Sequence, residues 1–379
     1  MADTASLLDK LLDSCPFLEK IDFDPGSEPN TALSLTQELA RFPRLRQVNV
    51  SSCWGLEAFR VLATKPSLHR LGIPTIIGPW NGPSEVVSVR DLRELSVGGD
   101  APSLSCLFSL ARFYALKSAN IYLDSADAEM SLTVTDITGL LALFYNAVST
   151  SGLESFEFAP WPHRYEAPFD VKPPLRELVA PILPIRSLRS FTLTSKYPVA
   201  SLDDTDIEAL TNAWPGLQHF SAGRGPFTSG SSVSFHALHH LHKRCKGLFE
   251  LSLPRICWPT IGIDVIPTPL DNGSPTHPLQ ELSLPPQVVR KTDLPLPGSG
   301  AELSDEGAEA MACYLFALFP RLDLDRCKRV WDESRPREMR FGTNSATRRA
   351  LGPKDLHCDD RWWRVTGHMY SLCRARDGL

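Results

Sequence analysis

A repeating array of short parallel strands and covering helices is the fold class that this 379-residue sequence predicts. Three observations point to it: a seven-residue phrase with apolar side chains at positions 1, 4 and 6 keeps returning, its spacing is narrow, and a helical pattern fills most intervals. Apolar residues in that arrangement suit a short strand that turns alternate side chains into a core. An apolar stripe at 3–4 spacing suits the helix that carries the chain back.

The phrase is read most clearly in "FLEKIDF" (Leu18, Ile21, Phe23), "RLRQVNV" (Leu45, Val48, Val50), "SLHRLGI" (Leu68, Leu71, Ile73) and "DLRELSV" (Leu92, Leu95, Val97). It continues in "ALKSANI" (Leu116, Ala119, Ile121), "GLESFEF" (Leu153, Phe156, Phe158), "SLRSFTL" (Leu188, Phe191, Leu193) and "GLQHFSA" (Leu217, Phe220, Ala222). "GLFELSL" (Leu248, Leu251, Leu253) and "PLQELSL" (Leu279, Leu282, Leu284) complete the series. The first leucines stand 27, 23, 24 and 24 residues apart, within the window of about 20–29 residues of leucine-rich repeats. Later intervals stretch to 37, 29, 31 and 31. A further phrase, "PLRELVA" (Leu175, Leu178), lies only 13 residues before Leu188. That is too short for a helix and return, so one of these two is expected to be an irregular turn or a strand without its own helix.

Between the phrases, "TASLLDKLLDSC", "TALSLTQELARF", "LEAFRVLATK", "TDITGLLALFYNAVS", "DDTDIEALTNAW", "FHALHHLHKRC" and "SDEGAEAMACYLFALF" carry the helical stripe. Asp203 to Asp206 ahead of Ile207, and Ser304 ahead of Glu306 and Glu309, have the chemistry of N-terminal caps. The predicted architecture is an irregular leucine-rich-repeat solenoid of the ribonuclease-inhibitor-like horseshoe type, with strands on a concave face and helices on a convex one. Residues 1–330 are assigned to it, with proline-rich insertions, and 331–379 to a basic extension ending in an amphipathic helix.

Composition fits a folded chain: 42% hydrophobic and 22% charged residues are globular values. The 32 prolines cluster between phrases, as in "APWPHRYEAPFDVKPP" and "PTPLDNGSPTHP", where a missing amide donor costs least. Nine scattered cysteines without Cys-x-x-Cys suggest neither a disulfide framework nor a zinc ribbon. Cys15, Cys53 and Cys245, beside strand phrases, are expected to pack as small hydrophobes. The opening "MADTASLLDK" has no basic and apolar leader, and the longest apolar runs fall short of a membrane span. A reducing cytoplasmic or nuclear location is expected, with no membrane. Net charge of −5 argues against nucleic acid. Residues 326–379 hold thirteen Lys or Arg against seven Asp or Glu, leaving 26 against 37 for the rest. Such a tail could dock on the acidic body or an acidic partner, but a solvated cap is the simpler reading.

Catalytic motifs are not found. "SAGRGPFTSGSS" lacks the Gly-Lys-Ser/Thr of a phosphate loop and follows a strand as a repeat turn would. No Gly-x-Ser-x-Gly elbow occurs. Asp203–Asp204 and Asp359–Asp360 read as a cap and a loop. "RWWRVTGHMY" could stack nucleobases on Trp362 and Trp363, or form a terminal helix burying one of them. The histidine-rich "FHALHHLHKRC" admits a metal reading through His236 and His240, but a zinc site needs further ligands, and no Asp or Glu lies between Thr228 and Phe249. The expectation is therefore a helix with Phe235, Leu238, Leu241 and Cys245 inside, His236 and His240 outside, His239 at the edge and His242 turned toward the apolar side. No catalytic residue, metal or cofactor is assigned.

The stretch from "LRSFTLTSKYPVASLDDTDIEALTNAWPGLQHFSAG" through "SFHALHHLHKRCKGLFELSLP" to "AMACYLFALFPRL" resembles the repeat region of fungal F-box proteins with leucine-rich repeats. Tryptophan-containing closing segments near "KRVWDE" and "DRWWRV" add to the likeness, and "LRQVNVSSCWGLEAF" is similar to the cysteine-containing subtype of these repeats. The resemblance implies a substrate-holding array in a Skp1–cullin ubiquitin ligase, in which an F-box docks on Skp1. The chain departs from the family in opening directly on a repeat helix, without a Leu-Pro-x-Glu start. It is therefore expected to bind Skp1 only if an F-box lies upstream; otherwise it would be a repeat-only scaffold or regulator.

In either case the binding surface is expected on the strands. Phrase positions 3 and 5 point away from the core, giving a polar row of Gln47, Asn49, Arg70, Glu94, Ser96, Ser118, Asn120, Glu157, His219, Ser221, Glu250 and Ser252 as candidate contacts to a protein partner.

Overall fold

The computed structural model describes residues 4–23, 29–78, 85–124, 133–161, 172–195, 199–222, 227, 233–254, 256, 277–283, 288–290, 305–327, 356–358 and 361–377. The chain divides into two compact units, Met1–Ser201 and Leu202–Leu379.

In the first unit the phrases form strands β1 (Lys20–Phe23), β2 (Gln47–Val50), β4 (Arg70–Ile77), β6 (Glu94–Gly99), β8 (Ser118–Asp124), β9 (Ser155–Trp161) and β10 (Ser190–Leu193). They pair in that order, all parallel and nearly all in register by phrase position: Lys20 opposite Gln47, Gln47 opposite Arg70, Arg70 opposite Glu94, Glu94 opposite Ser118. Helix α1 (Thr4–Ser14) precedes β1, and α2 (Pro29–Ala40), α3 (Leu56–Ala63), α4 (Ala101–Leu110) and α5 (Val134–Val148) lie between strands in sequence. α1 packs on α2, α2 on α3 and α4 on α5. The second unit repeats the scheme with parallel strands β11 (His219–Ala222), β12 (Glu250–Ser252) and β13 (Glu281–Ser283) and helices α7 (Asp204–Ala213), α8 (Phe235–Arg244) and α9 (Asp305–Leu318). This is the leucine-rich-repeat solenoid fold that the phrases predict.

One hydrogen-bond device recurs from strand to strand within each unit. The carbonyl at phrase position 2 accepts from two consecutive N–H groups of the next rung: Glu19 O from Arg46 N and Gln47 N at 2.8 and 2.9 Å, Arg46 O from His69 N and Arg70 N at 2.8 and 3.0 Å. The carbonyls of His69, Arg93, Lys117 and Glu154 continue it, and Gln218 and Phe249 do the same in the second unit. Beneath it, phrase positions 1, 4 and 6 from Leu45 to Leu253 are all buried, and Val50, at 7%, is the most exposed of them. Aromatic rings fill the wider rungs, with Phe144 stacked on Phe156 at 4.9 Å and Phe108 edge-on to Phe144 at 5.2 Å.

Several elements differ from the sequence expectation. α4 has an apolar periphery rather than a stripe, so its period is faint. It is set instead by Asp100, whose carboxylate accepts from Ser103 N at 2.7 Å, and by Pro102 in the first turn. The short interval before Leu188, by contrast, resolves as expected, with "PLRELVA" as the irregular turn: Leu175–Leu178 form a single helical turn, α6, followed by a 3-10 turn at Ala180–Ile182, and both pack against α5. The 13-residue interval is therefore one rung with a shortened helical side. Cys15 and Cys53 are exposed, not packed as hydrophobes; at β3 (Cys53–Gly55) the inward position belongs to Trp54. Cys245 is buried as expected.

β3 pairs with the far end of β4, and a second small parallel pair joins β5 (Val87–Val89) to β7 (Ala111–Phe113). The extra length of β4 brings Pro74 O so close to Gly98 that a Cβ there would sit 1.9 Å from it, and Gly99 holds φ at +155°. In the second unit the rung after β13 is a helical turn over residues 324–327. Asp323 N donates to Gln280 O at 2.8 Å, keeping the rung hydrogen bond, while Cys327 Sγ accepts from Leu282 N at 3.3 Å. β14 (Val288–Arg290) pairs antiparallel with β15 (Leu356–Cys358), and α10 (Arg361–Asp377) packs on α9. The proline-rich insertions, most of the glycine-rich 221–232 stretch, the Ser304 cap, the 330/331 boundary and the side chains of Trp362 and Trp363 lie outside the described residues.

Stability should follow this division of inside from outside. Leu251, fully buried at the centre of β12, should cost roughly 2–5 kcal/mol on Leu251→Ala. His236→Gln with His240→Gln, on the outer side of α8, should move stability by no more than about 0.5 kcal/mol. Chemical denaturation of the variants measures both; a histidine change that costs as much as the leucine change would refute the assignment of faces.

Candidate functional site on the polar face of the strands

The register turns the polar positions into two continuous rows. In the first unit, position 3 reads Lys20, Gln47, Arg70, Glu94, Ser118, Ser155, Ser190, and position 5 reads Asp22, Asn49, Gly72, Ser96, Asn120, Glu157, Thr192. Neighbouring strands lie about 4.8 Å apart, so adjacent members touch. The second unit carries His219, Glu250 and Glu281 in one row and Ser221, Ser252 and Ser283 in the other. Every expected contact residue is thus on the polar face of its own unit, and none of them is buried.

Charges on the first unit's face are mostly neutralised by neighbours. Lys20 pairs with Asp22 at 2.9 Å and Arg70 with Glu94 at 3.2 Å, while Lys117 and Glu154 pair along the position-2 edge at 2.9 Å. Hydrogen bonds from Lys20 and Asn49, the latter at 2.5 Å, hold the Asp22 carboxyl below its ordinary range. Gly72 interrupts the row of side chains and opens a hollow of about 600 Å³ over the sheet, edged by Asn49, Arg70, Ser96, Asn120, Tyr122 and Asp124. Burial and the nearby Glu157 raise the Tyr122 phenol, and burial alone raises Glu157.

In the second unit Glu250 Oε2 lies 3.3 Å from His219 Nδ1 and 3.9 Å from Arg326. Arg326 also bonds the buried Glu281 and lies 5.4 Å over the Phe249 ring. The sequence reading missed Lys20, Asp22 and Thr192, although they occupy phrase positions 3 and 5. It missed Tyr122 because β8 runs past the phrase. Arg326 carries no sequence signal.

The histidines of α8 take structural places. Among the described residues no group of three or more His, Cys, Asp or Glu side chains could hold a metal ion. His236 is exposed, while His242 is buried, its ring 4.9 Å from buried His277, with Phe319 edge-on to both. His277 Nδ1 accepts from Leu279 N at 3.3 Å, so Nε2 carries the proton and donates to Cys245 O at 3.0 Å. Burial, with Lys246 adding a like charge, pushes both imidazoles down to about 4.

No family model matches the chain, and no curated protein matches it. Among solved structures, an internalin of Listeria monocytogenes is similar over 68% of this chain and 90% of its own, at 10% identity and a TM-score of 0.23. A score that low carries no argument; the fold rests on the strand registers and rung hydrogen bonds. No helix among the described residues is long and apolar enough to cross a membrane.

The histidine pair makes the second unit acid-sensitive. Both groups have folded pKa values of about 4 against an ordinary 6.5, so the folded state binds fewer protons than the unfolded one. Their stabilisation is complete above about pH 6.5 and is lost as pH falls from there toward 4. Denaturation midpoints followed between about pH 7.5 and 4.5 should fall less steeply in His242→Phe than in the parent. Identical slopes would show that the pair does not titrate with unfolding.

Proposed function

We propose that the chain is a non-enzymatic protein-binding solenoid that holds its partner on the polar face of the strands, as the substrate-holding repeats of an F-box subunit do. The observation that carries this reading is the separation of roles within each rung. Positions 1, 4 and 6 and the position-2 carbonyl build the fold, while in the first unit positions 3 and 5 form two rows of amides, hydroxyls and charges that the core does not use. A rigid sheet with a side-chain surface free to vary is what repeat arrays offer to partners, and the hollow at Gly72 adds a recess where a partner side chain could be desolvated. The ubiquitin-ligase setting is supported by the sequence resemblance alone: the stretch from Leu188 to Leu322, the tryptophan-containing segments near "KRVWDE" and "DRWWRV", and "LRQVNVSSCWGLEAF".

Affinity capture from cell extract, compared across variants, tests the face. Asn120→Arg places a bulky charge in the middle of the position-5 row without touching the core, whereas His236→Arg does the same on the helical side. Proteins captured by the parent should be lost, by about tenfold or more, with Asn120→Arg and retained with His236→Arg. Equal capture by both would remove the polar face as the binding surface.

A further inference from the structure

On the polar face of the first unit, Glu157 is a charged group that the described residues leave unanswered. Glu157 sits in the position-5 row between Asn120 and Thr192, half-buried, and among the described residues it has no hydrogen bond and no ion pair. The charges around it are matched: Lys20 by Asp22, Arg70 by Glu94, Lys117 by Glu154. Taking a carboxylate partly out of water without a counter-charge costs free energy, and such a cost is characteristic of a functional position. The second unit shows how this fold answers a comparable acid: Glu281, buried in the same kind of row, receives Arg326 from the closing rung.

From these features we infer that Glu157 selects a lysine or arginine side chain of an extended segment of the partner, laid across the strands with its main chain over the Gly72 hollow. This deepens the reading of the polar face as the binding surface and rests on it. The geometry suits the occupant. Gly72 and Glu157 belong to the same row three rungs apart, about 14 Å at 4.8 Å per strand, which an extended peptide covers in about four residues. Ser96 and Asn120 between them, and Asn49 on the other side of Gly72, supply amide and hydroxyl groups that can donate to and accept from a peptide main chain. Asn49 is pre-oriented by its bond to Asp22. A cation arriving at Glu157 finds a carboxylate already stripped of part of its water, so the pair forms at lower desolvation cost than on an open surface.

The test uses the full chain and a display library of 12-residue random peptides, with fluorescence polarisation on the peptides enriched. Enriched peptides should share a Lys or Arg. Replacing it by norleucine should lower affinity at least tenfold, Glu157→Gln should do the same, and the two changes together should cost no more than either alone. Affinity should also fall with added salt. Because Gln removes an unmatched charge, Glu157→Gln should leave thermal stability unchanged or raised; a drop would make Glu157 a structural group and overturn the inference. It is likewise overturned if no peptide is enriched, if no basic residue is shared, or if the basic preference persists in Glu157→Gln. Asn120→Arg separates this outcome from failure of the underlying reading. Binding lost in Asn120→Arg with the basic preference unchanged in Glu157→Gln removes only the role of Glu157, whereas peptides that bind Asn120→Arg undiminished are not on this face at all.

Discussion

The structure depends on one small interaction made over and over: a backbone carbonyl at phrase position 2 shared between two N–H groups of the following rung. It fixes the parallel register at the first residue of each strand. Because side chains alternate across a strand, a slip of one residue would exchange the buried and polar faces along the whole row. Register and hydrophobic pattern therefore enforce each other. The carbonyl sets which residue is opposite which, and the burial of positions 1, 4 and 6 makes any other setting costly. The rungs can then vary in length, from the full helix α5 to the single turn of α6, without disturbing the strands.

This explains what could be read from the sequence. A seven-residue apolar pattern with no catalytic motif is sufficient for the fold, and the strands fall on the phrases as expected. Ambiguous and mistaken readings came where one rung borrows from another signal. "PLRELVA" has the apolar spacing of a phrase, but Pro174 and the nearby Ser201 tie it into an isolated bridge, and the next strand follows too soon for it to be anything but a helical turn. α4 lacks a polar stripe, so only its Asp100 cap marks it. Cys53 looks core-facing because it follows a strand, yet β3 begins a fresh alternation in which Trp54 is the inward residue.

The polar rows were legible as positions and illegible as chemistry. Which residues face outward follows from period two alone. Which of them pair, as Arg70 with Glu94, depends on strand adjacency across 24 residues, and whether a carboxylate is desolvated depends on the walls that other rungs raise around it. The histidines make the same point: the inward turn of His242 follows from helical geometry, but its neighbour His277 comes from a segment outside any phrase and meets it only in the fold.

A repeat array also changes what a polar residue costs. In a compact domain, a charge near the core disturbs many elements at once; here each rung leans on its neighbours only, so an unmatched charge at one position is a local burden. Two of the acids on the polar faces show both resolutions of that burden. Glu281 is buried and receives a guanidinium from the rung that ends its sheet, which secures the closing turn. Glu157, placed mid-row with amides and a phenol around it and no ion pair among the described residues, keeps its cost in the unliganded chain. An array that could have placed an uncharged side chain there at no loss to its core instead holds a carboxylate, and the free energy this withholds from stability is returned only when an outside cation arrives.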